Sequence, residues 1–254
     1  MRTEILYEDK SIMVVRKPAG LAVQSAGIGQ PDVVSELKSY LAKLPGAGRP
    51  GKGEPYLGIV HRLDQPVEGL LVFAKDKKAA ATLSKQLTEG ALNKHYYAVL
   101  CGYPDCPEGD LVDYLRKEGN VAVAVTGREQ EFADAKIAAL HYRILEEINA
   151  PSPLALADVT IGTGRFHQIR VQFAHAGFPL LGDTKYGKAA LIEAMPAQKY
   201  RGVALCAYSL ELVHPISGEK MGFRVVPKNP AFAGFAMEEL KKLTENETGI
   251  SKRG

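Results

Sequence analysis

The sequence predicts an α+β protein, one domain of mixed α and β segments around a large central sheet. Three observations predict it. Short runs of β-branched and apolar residues, bounded by turn-forming residues, recur along the chain. Between them lie longer segments whose apolar residues fall at helical spacing. Finally, the two kinds follow no regular βαβ alternation, no internal repeat is visible, and no linker divides the chain. The main domain is expected over residues 1–230, followed by a C-terminal helix and a frayed tail over 231–254.

In order, residues 5–9 and 12–15 read as two short strands around a polar turn, and Lys17-Pro18-Ala19-Gly20 closes the second as a turn. Pro31 and Asp32 suit the start of a helix over 33–43. Residues 45–55 form a Gly- and Pro-rich connection carrying Arg49 and Lys52. It is not a nucleotide-binding P-loop, because Gly51-Lys52 is followed by Gly53 rather than Ser or Thr. Leu70 to Ala74 reads as a buried strand. Lys77 to Glu89 reads as an amphipathic helix with Leu83 and Leu87 inward, stopped by Gly90. His95 to Leu100 is strand-like, and residues 102–135 are turn-rich, as in a hairpin region. Residues 155–161 make a strand that runs through the tight turn Gly162-Thr163-Gly164-Arg165 into a helix over 167–176, with Gly177 as its stop. Residues 203–213 and 221–226 read as strands, and 234–243 as a last helix.

A formal net charge of +3 over 254 residues permits nucleic-acid binding without requiring it, so a basic groove must come from local clustering of Lys and Arg. Cys101, Cys106 and Cys206 contain no Cys-x-x-Cys pair and read as reduced thiols of a cytoplasmic protein; no second pair completes a metal site with Cys101 and Cys106. No signal-peptide pattern opens the chain and no apolar run approaches the length of a membrane span.

The densest chemical signal is His61-Arg62-Leu63-Asp64, with Gly69-Leu70-Leu71-Val72 just beyond. An Asp after an apolar stretch is usually a turn or capping residue. Here an Arg precedes it and a buried strand follows, an arrangement that can hold an aimed carboxylate nucleophile. The second signal is Lys94-His95-Tyr96-Tyr97, where adjacent tyrosines on a strand point to opposite faces, so that one can pack in the core while the other faces a cleft, although a core aromatic with its hydroxyl tied up is the commoner role. The third runs from Thr163 to Gly187. Arg165 stands before a helix N-terminus, where anionic groups are favoured. His167 and Arg170 lie three apart on one helix face, as hydrogen-bonding scaffold or as contacts to a nucleic-acid backbone.

These motifs, in this order, resemble the RluA-like pseudouridine synthases. Lys17-Pro18-Ala19-Gly20 is similar to the family's early turn, and His61-Arg62-Leu63-Asp64 to its catalytic motif. Lys94, Tyr96, Ala98 and Gly102 match the spacing of its tyrosine motif, which selects Tyr96 over Tyr97. Residues 163–187 match its arginine motif, and His214-Pro215 with Gly218 resembles its closing strand pair. The resemblance begins near residue 5, so the family's amino-terminal RNA-binding module (an S4 domain) is not expected. It departs in two places. Val67-Glu68 stands where the family usually has Thr-Ser, and Gln172 stands where a His is frequent.

The resemblance implies an α+β catalytic domain with a mixed, mostly antiparallel sheet flanked by helices and loops. It also implies an isomerase that detaches uracil at N1, rotates it and rejoins it through C5, acting on structured ribosomal or transfer RNA without cofactor or metal; a monomer is the default expectation. It makes Asp64, Tyr96 and Arg165 the catalytic residues, and Arg62, His61, His167 and Arg170 the substrate-binding ones. Lys75, Lys77, Lys78, Lys85, Lys94 and Arg170 are candidates for the basic groove. Two rivals are an RNA-binding relative without chemistry, and a hydrolase pairing Asp64 with Glu68 or Asp76.

Overall fold

The computed structural model describes residues 1–25, 27, 29–44, 54–126, 134–149, 152–187 and 202–236. Most of the basic connection at 45–55 and most of the expected helix at 234–243 lie outside the described residues, as does the tail. The described chain is strand-dominated with three α-helices, and it divides into two compact units. Residues 1–94 and 207–225 make the first; 95–206 and 226–254 make the second.

In the first unit, β1 (Glu4–Glu8) and β2 (Ile12–Lys17) form an antiparallel pair. Asp9 shapes the turn between them by accepting from the amides of Ser11 and Ile12, both at 2.7 Å. Helix α1 (Val33–Ala42) begins where expected because the Asp32 side chain accepts from the Ser35 amide at 2.7 Å. The two-residue β3 (Gly58–Ile59) pairs with β4 (Glu68–Ala74), which also lies antiparallel to β2. Every residue of β2 and β4 is buried, so the two read as continuous apolar runs interrupted only by charges with assigned partners. Asp76 caps α2 (Lys77–Thr88) through the Ala79 amide at 2.8 Å. Leu83 of α2 is buried as expected. Buried Gln86 exchanges two hydrogen bonds with the backbone of Val213, at 2.7 and 2.9 Å.

The second unit holds most of β5 (Asn93–Cys101), then β6 (Glu108–Glu118), β7 (Val121–Val125), β8 (Lys136–Ile148) and β9 (Leu154–Ile161), in the order β5-β9-β8-β6-β7. These pairings are all antiparallel. Helix α3 (Gln168–His175) follows β9, and its Val171 packs with Leu115, Ala122 and Ala138 of the hairpin strands. β10 (Leu205–Val213) starts in this unit, enters the first at Ala207 and pairs there with β11 (Lys220–Arg224). Gly69 of β4 lies where φ is 128°, and an added Cβ would stand 2.4 Å from the Ala207 carbonyl oxygen, so only glycine allows that approach.

Candidate active site

In the first unit, Asp64 sits half-buried on the turn that leads into β4, and its carbonyl accepts from the Val67 amide at 3.1 Å. The segment 17–21 clamps this turn from outside. The Gly20 amide donates to the Gln65 carbonyl at 2.8 Å, and Gln65 Nε2 returns a bond to the Gly20 carbonyl at 3.3 Å. Lys17 is fully buried, and its ammonium donates to the carbonyls of Pro18, Leu21 and Gln65 at 3.1, 2.7 and 3.0 Å. All three N–H bonds of the group are thereby used. Burial pulls the Lys17 ammonium down to about 7, against the attraction of Asp64 and Glu68.

His61 lies behind the turn, 7 % exposed, with Nε2 accepting from the Val72 amide at 3.2 Å. That bond requires the neutral ring, and burial, helped by the Lys94 charge, pushes His61 down to about 3. It fixes β4 from inside the core. Arg62 is exposed and donates from Nη2 to Gln24 Oε1 at 3.0 Å. The replacement at 67–68 is also accounted for. Val67 is buried, and the Glu68 carboxylate, also buried, stands 3.7 Å from the Arg16 guanidinium.

In the second unit, Arg165 occupies a turn held by neutral hydrogen bonds. Its amide donates to Gln168 Oε1 at 2.9 Å, and the Thr163 hydroxyl donates to the same oxygen at 2.8 Å. Gln168 Nε2 and the Thr163 hydroxyl oxygen then bind the carbonyl and amide of Ala139, at 3.0 and 3.1 Å. Arg165 Nε donates to the Ile137 carbonyl at 2.9 Å, which sets the guanidinium plane. His167 follows at φ 54°, a left-handed conformation unusual for a residue with a Cβ. Its Nδ1 is 2.6 Å from the Tyr186 hydroxyl, which also accepts from the Ala122 amide at 2.8 Å. Phe166 stacks on the His167 ring.

Arg170 is 4 % exposed and grips Asp183 with two bonds, Nε to Oδ2 at 2.7 Å and Nη2 to Oδ1 at 2.8 Å. Its place is the core of the second unit, where it ties α3 to the 182–187 turn, and it does not line a groove surface. Tyr96 and Tyr97 on β5 are both buried, at 4 % and 1 % exposure, so the expected division into a core ring and a cleft-facing ring is not seen. The groove lysines also divide. Lys77 and Lys78 are exposed, Lys85 is exposed beside Glu89, and Lys75 binds Glu8 at 2.6 Å. Lys94 is half-buried, and burial pulls it down to about 8.

The structure thus places His61, Arg62 and Asp64 in the first unit, and Tyr96, Arg165, His167 and Arg170 in the second. Sequence reasoning overlooked the roles of Lys17, Thr163 and Gln168, although each stands inside a quoted motif. It had no access to the Ile137 carbonyl, because a backbone acceptor carries no residue signature. Among the described residues, no group of three His, Cys, Asp or Glu is arranged to hold a metal ion, and no helix is long and apolar enough to cross a membrane. Chemically, a half-buried carboxylate on a turn clamped at Gln65 can serve as an aimed nucleophile or base. A guanidinium with a fixed plane can serve as an anion contact.

Residues 11–175 match the family model for RNA pseudouridylate synthases. An uncharacterized RNA pseudouridine synthase of Synechocystis sp. is 38 % identical over 226 residues, covering 85 % of this chain and 63 % of that protein. The ribosomal large subunit pseudouridine synthase D of Zymomonas mobilis is 36 % identical over 230 residues, covering 87 % of this chain and 68 % of that protein. The solved structure of human RNA pseudouridylate synthase domain containing 4 superposes with a TM-score of 0.67 at 25 % identity, covering 89 % of each chain. Domain containing 1, also human, has a TM-score of 0.70 at 19 % identity, over 96 % of this chain and 94 % of that one, and shows the same fold. The chain belongs to the RNA pseudouridylate synthase family, in its RluA-like branch. It spans about two-thirds of the length of the curated relatives it matches, 63 % and 68 % of the two described.

Proposed function

We propose that this chain isomerises chosen uridines of ribosomal or transfer RNA to pseudouridine, with residues 1–230 as the catalytic domain of a cytoplasmic monomer. The observation that carries the reading is the clamped Asp64 turn, with Asp64 half-buried and the backbone fixed at Gln65 by Lys17 and Gly20, in a member of this family.

The target base leaves its stack, at a cost of a few kcal/mol. Asp64 acts as nucleophile or base at the ribose or the uracil while the N1–C1′ bond breaks. The uracil rotates, C5 bonds to C1′, the C5 proton is released to solvent, and N1 takes up a proton. Arg165, its guanidinium plane fixed by the Ile137 carbonyl, serves as an anion contact for the reacting nucleotide. Tyr96 stacks on the uracil and assists removal of the C5 proton; at 4 % exposure, its ring must first be uncovered. Arg62, exposed on the Asp64 turn, braces the vacated stack. His167 contributes to RNA binding beside Arg165, whereas His61 and Arg170 act from inside the fold by positioning Asp64 and α3. The reaction is redox-neutral and calls for no cofactor or metal.

The retained turn also favours a synthase over a non-catalytic RNA binder, since Val67 and Glu68 both find buried places and the turn still closes. The test is tritium release into water from C5-labelled cellular RNA taken from a source strain lacking the gene. Release by the purified protein establishes the activity. RNA binding without release would replace the synthase with the non-catalytic relative.

A further inference from the structure

An exposed ring in the second unit stands on supports that reach down to the core. Phe166, directly after Arg165, is 39 % exposed. Its ring is nearly parallel to that of His167, with centroids 3.8 Å apart and planes 21° apart. Neighbouring side chains of a strand or helix diverge, so adjacent rings stack only where the backbone departs from both. The left-handed φ of 54° at His167 supplies that departure, at a cost for a residue with a Cβ. Such strain persists where the surroundings over-determine it. Tyr186 meets the His167 ring edge-on, with centroids 5.5 Å apart, and its hydroxyl lies 2.6 Å from His167 Nδ1. The Arg170 guanidinium lies over the Tyr186 ring, 5.1 Å from its centroid, and is itself anchored on Asp183. His167 fills one face of the Phe166 ring, so the Lys117 ammonium, 4.8 Å from the centroid, lies over the other. Lys117 is exposed, and the acidic residue beside it, Glu118, is held by Arg116 at 2.7 Å.

From this geometry we propose that Phe166 is a base-stacking residue: an unpaired RNA base beside the target uridine replaces the Lys117 ammonium on the Phe166 ring, and Lys117 moves to the adjoining phosphate. The proposal rests on the synthase reading above. Unpaired bases stack on exposed aromatic faces, and a neighbouring cation suits the phosphate that comes with them. Phe166 directly follows Arg165, the anion contact for the reacting nucleotide, so the base it receives belongs to a nucleotide next to the target. His167 acts through Phe166, as the rigid backing of the ring. Because every base has a π-face, this contact selects an unpaired neighbour over a paired one and reads no particular base.

The experiment titrates wild type, Phe166→Ala, Phe166→Leu and Phe166→Trp with C5-labelled cellular RNA and reads single-turnover tritium release, with thermal unfolding as the check on folding. Phe166→Ala and Phe166→Leu are expected to raise the half-saturating RNA concentration by about 5–150-fold, the worth of one base stacked on an aromatic ring, and to slow release at saturation far less. Leu keeps the apolar bulk and removes the flat face, so it separates stacking from simple cover. Phe166→Trp is expected to stay within about threefold of wild type. The chain has no tryptophan, so the indole introduced there is a lone reporter, and its fluorescence should be quenched as RNA binds. A folded Phe166→Leu that binds RNA as wild type does overturns the proposal, as does indole emission unchanged at saturating RNA. A loss confined to the rate at saturation also overturns it. If the Ala and Leu variants do not fold, the indole decides alone: quenching supports the proposal and unchanged emission overturns it. Lys117→Gln should lower the slope of log affinity against log salt by about 0.7, one phosphate contact of a single strand, and an unchanged slope overturns the part given to Lys117. Wild-type release in the same assay tests the synthase reading separately, so its absence would point to that reading and not to Phe166.

Discussion

The turns carrying Asp64 and Arg165 are held by different physics. The Asp64 turn depends on buried charge: a fully buried ammonium bonded to three carbonyls, with Arg16 facing Glu68 at its far end. The Arg165 turn depends on neutral groups, with Gln168 and Thr163 tying its backbone to β8. Charge gives strong orientation, but it is sensitive to pH and costly when one partner is lost. Neutral networks tolerate pH change and fail when a single acceptor serving several donors is removed. In the proposed reaction the first turn aims a carboxylate, and the buried Lys17 ammonium holds its backbone at Gln65. The second carries a permanent cation, and more cations beside it would repel it, which favours amide and hydroxyl partners.

The largest expected effect tests an exception within the second unit, a buried ion pair with two direct bonds. Arg170→Met leaves the Asp183 carboxylate, at 0 % exposure, without its guanidinium. It should cost about 3–5 kcal/mol in urea unfolding. A loss below about 1 kcal/mol would mean that the amides of Lys185 and Tyr186, which also donate to Asp183, suffice. Next comes Gly69→Ala in the first unit, where the new Cβ meets the Ala207 backbone at 2.4 Å and φ is 128°. About 3 kcal/mol is expected, read as a fall in melting temperature of roughly 6–12 °C.

Gln168→Ala sharpens the contrast, since one oxygen accepts both the Arg165 amide and the Thr163 hydroxyl. It should cost about 1–3 kcal/mol of stability and slow tritium release more than it weakens RNA binding. The smallest effect is electrostatic. The folded chain holds His61 at about 3 against 6.5 in the unfolded chain, so the unfolded state binds the extra proton between those values. Stability is therefore fully present above 6.5 and falls as pH drops toward 3. Between pH 6.5 and about 5, above the carboxylate range, wild type should lose about 1.5 kcal/mol that His61→Asn does not lose. Equal slopes for the two proteins would remove His61 from the list of buried neutral groups.

Much of this architecture was legible. Apolar runs located β1, β2, β4 and β5, and Asp32 marked the start of α1 because its cap is a local interaction. The hairpin region at 102–135 contains β6 and β7. β8 was not foreseen. Its sequence, Lys136–Ile148, mixes Ala, Leu and Glu in proportions that suit a helix, and pairing with β6 and β9 decides its conformation instead. The two residues of β3 are too few to show a period. In the site, Asp64 and Arg165 stood out because their neighbours are distinctive. Lys17 did not, because a lysine is read as a surface residue until three carbonyls are found around it. Arg170 looked like a surface cation for the same reason, and only its pairing with Asp183, thirteen residues away, places it in the core.

The central claim is that Asp64 performs the chemistry on a turn held in place by the rest of the first unit. The direct test is single-turnover tritium release from C5-labelled RNA by wild type and by Asp64→Asn, with RNA affinity measured in parallel. The account predicts a loss of at least about a thousandfold in rate with affinity nearly unchanged. Release by Asp64→Asn at a rate close to wild type would contradict it.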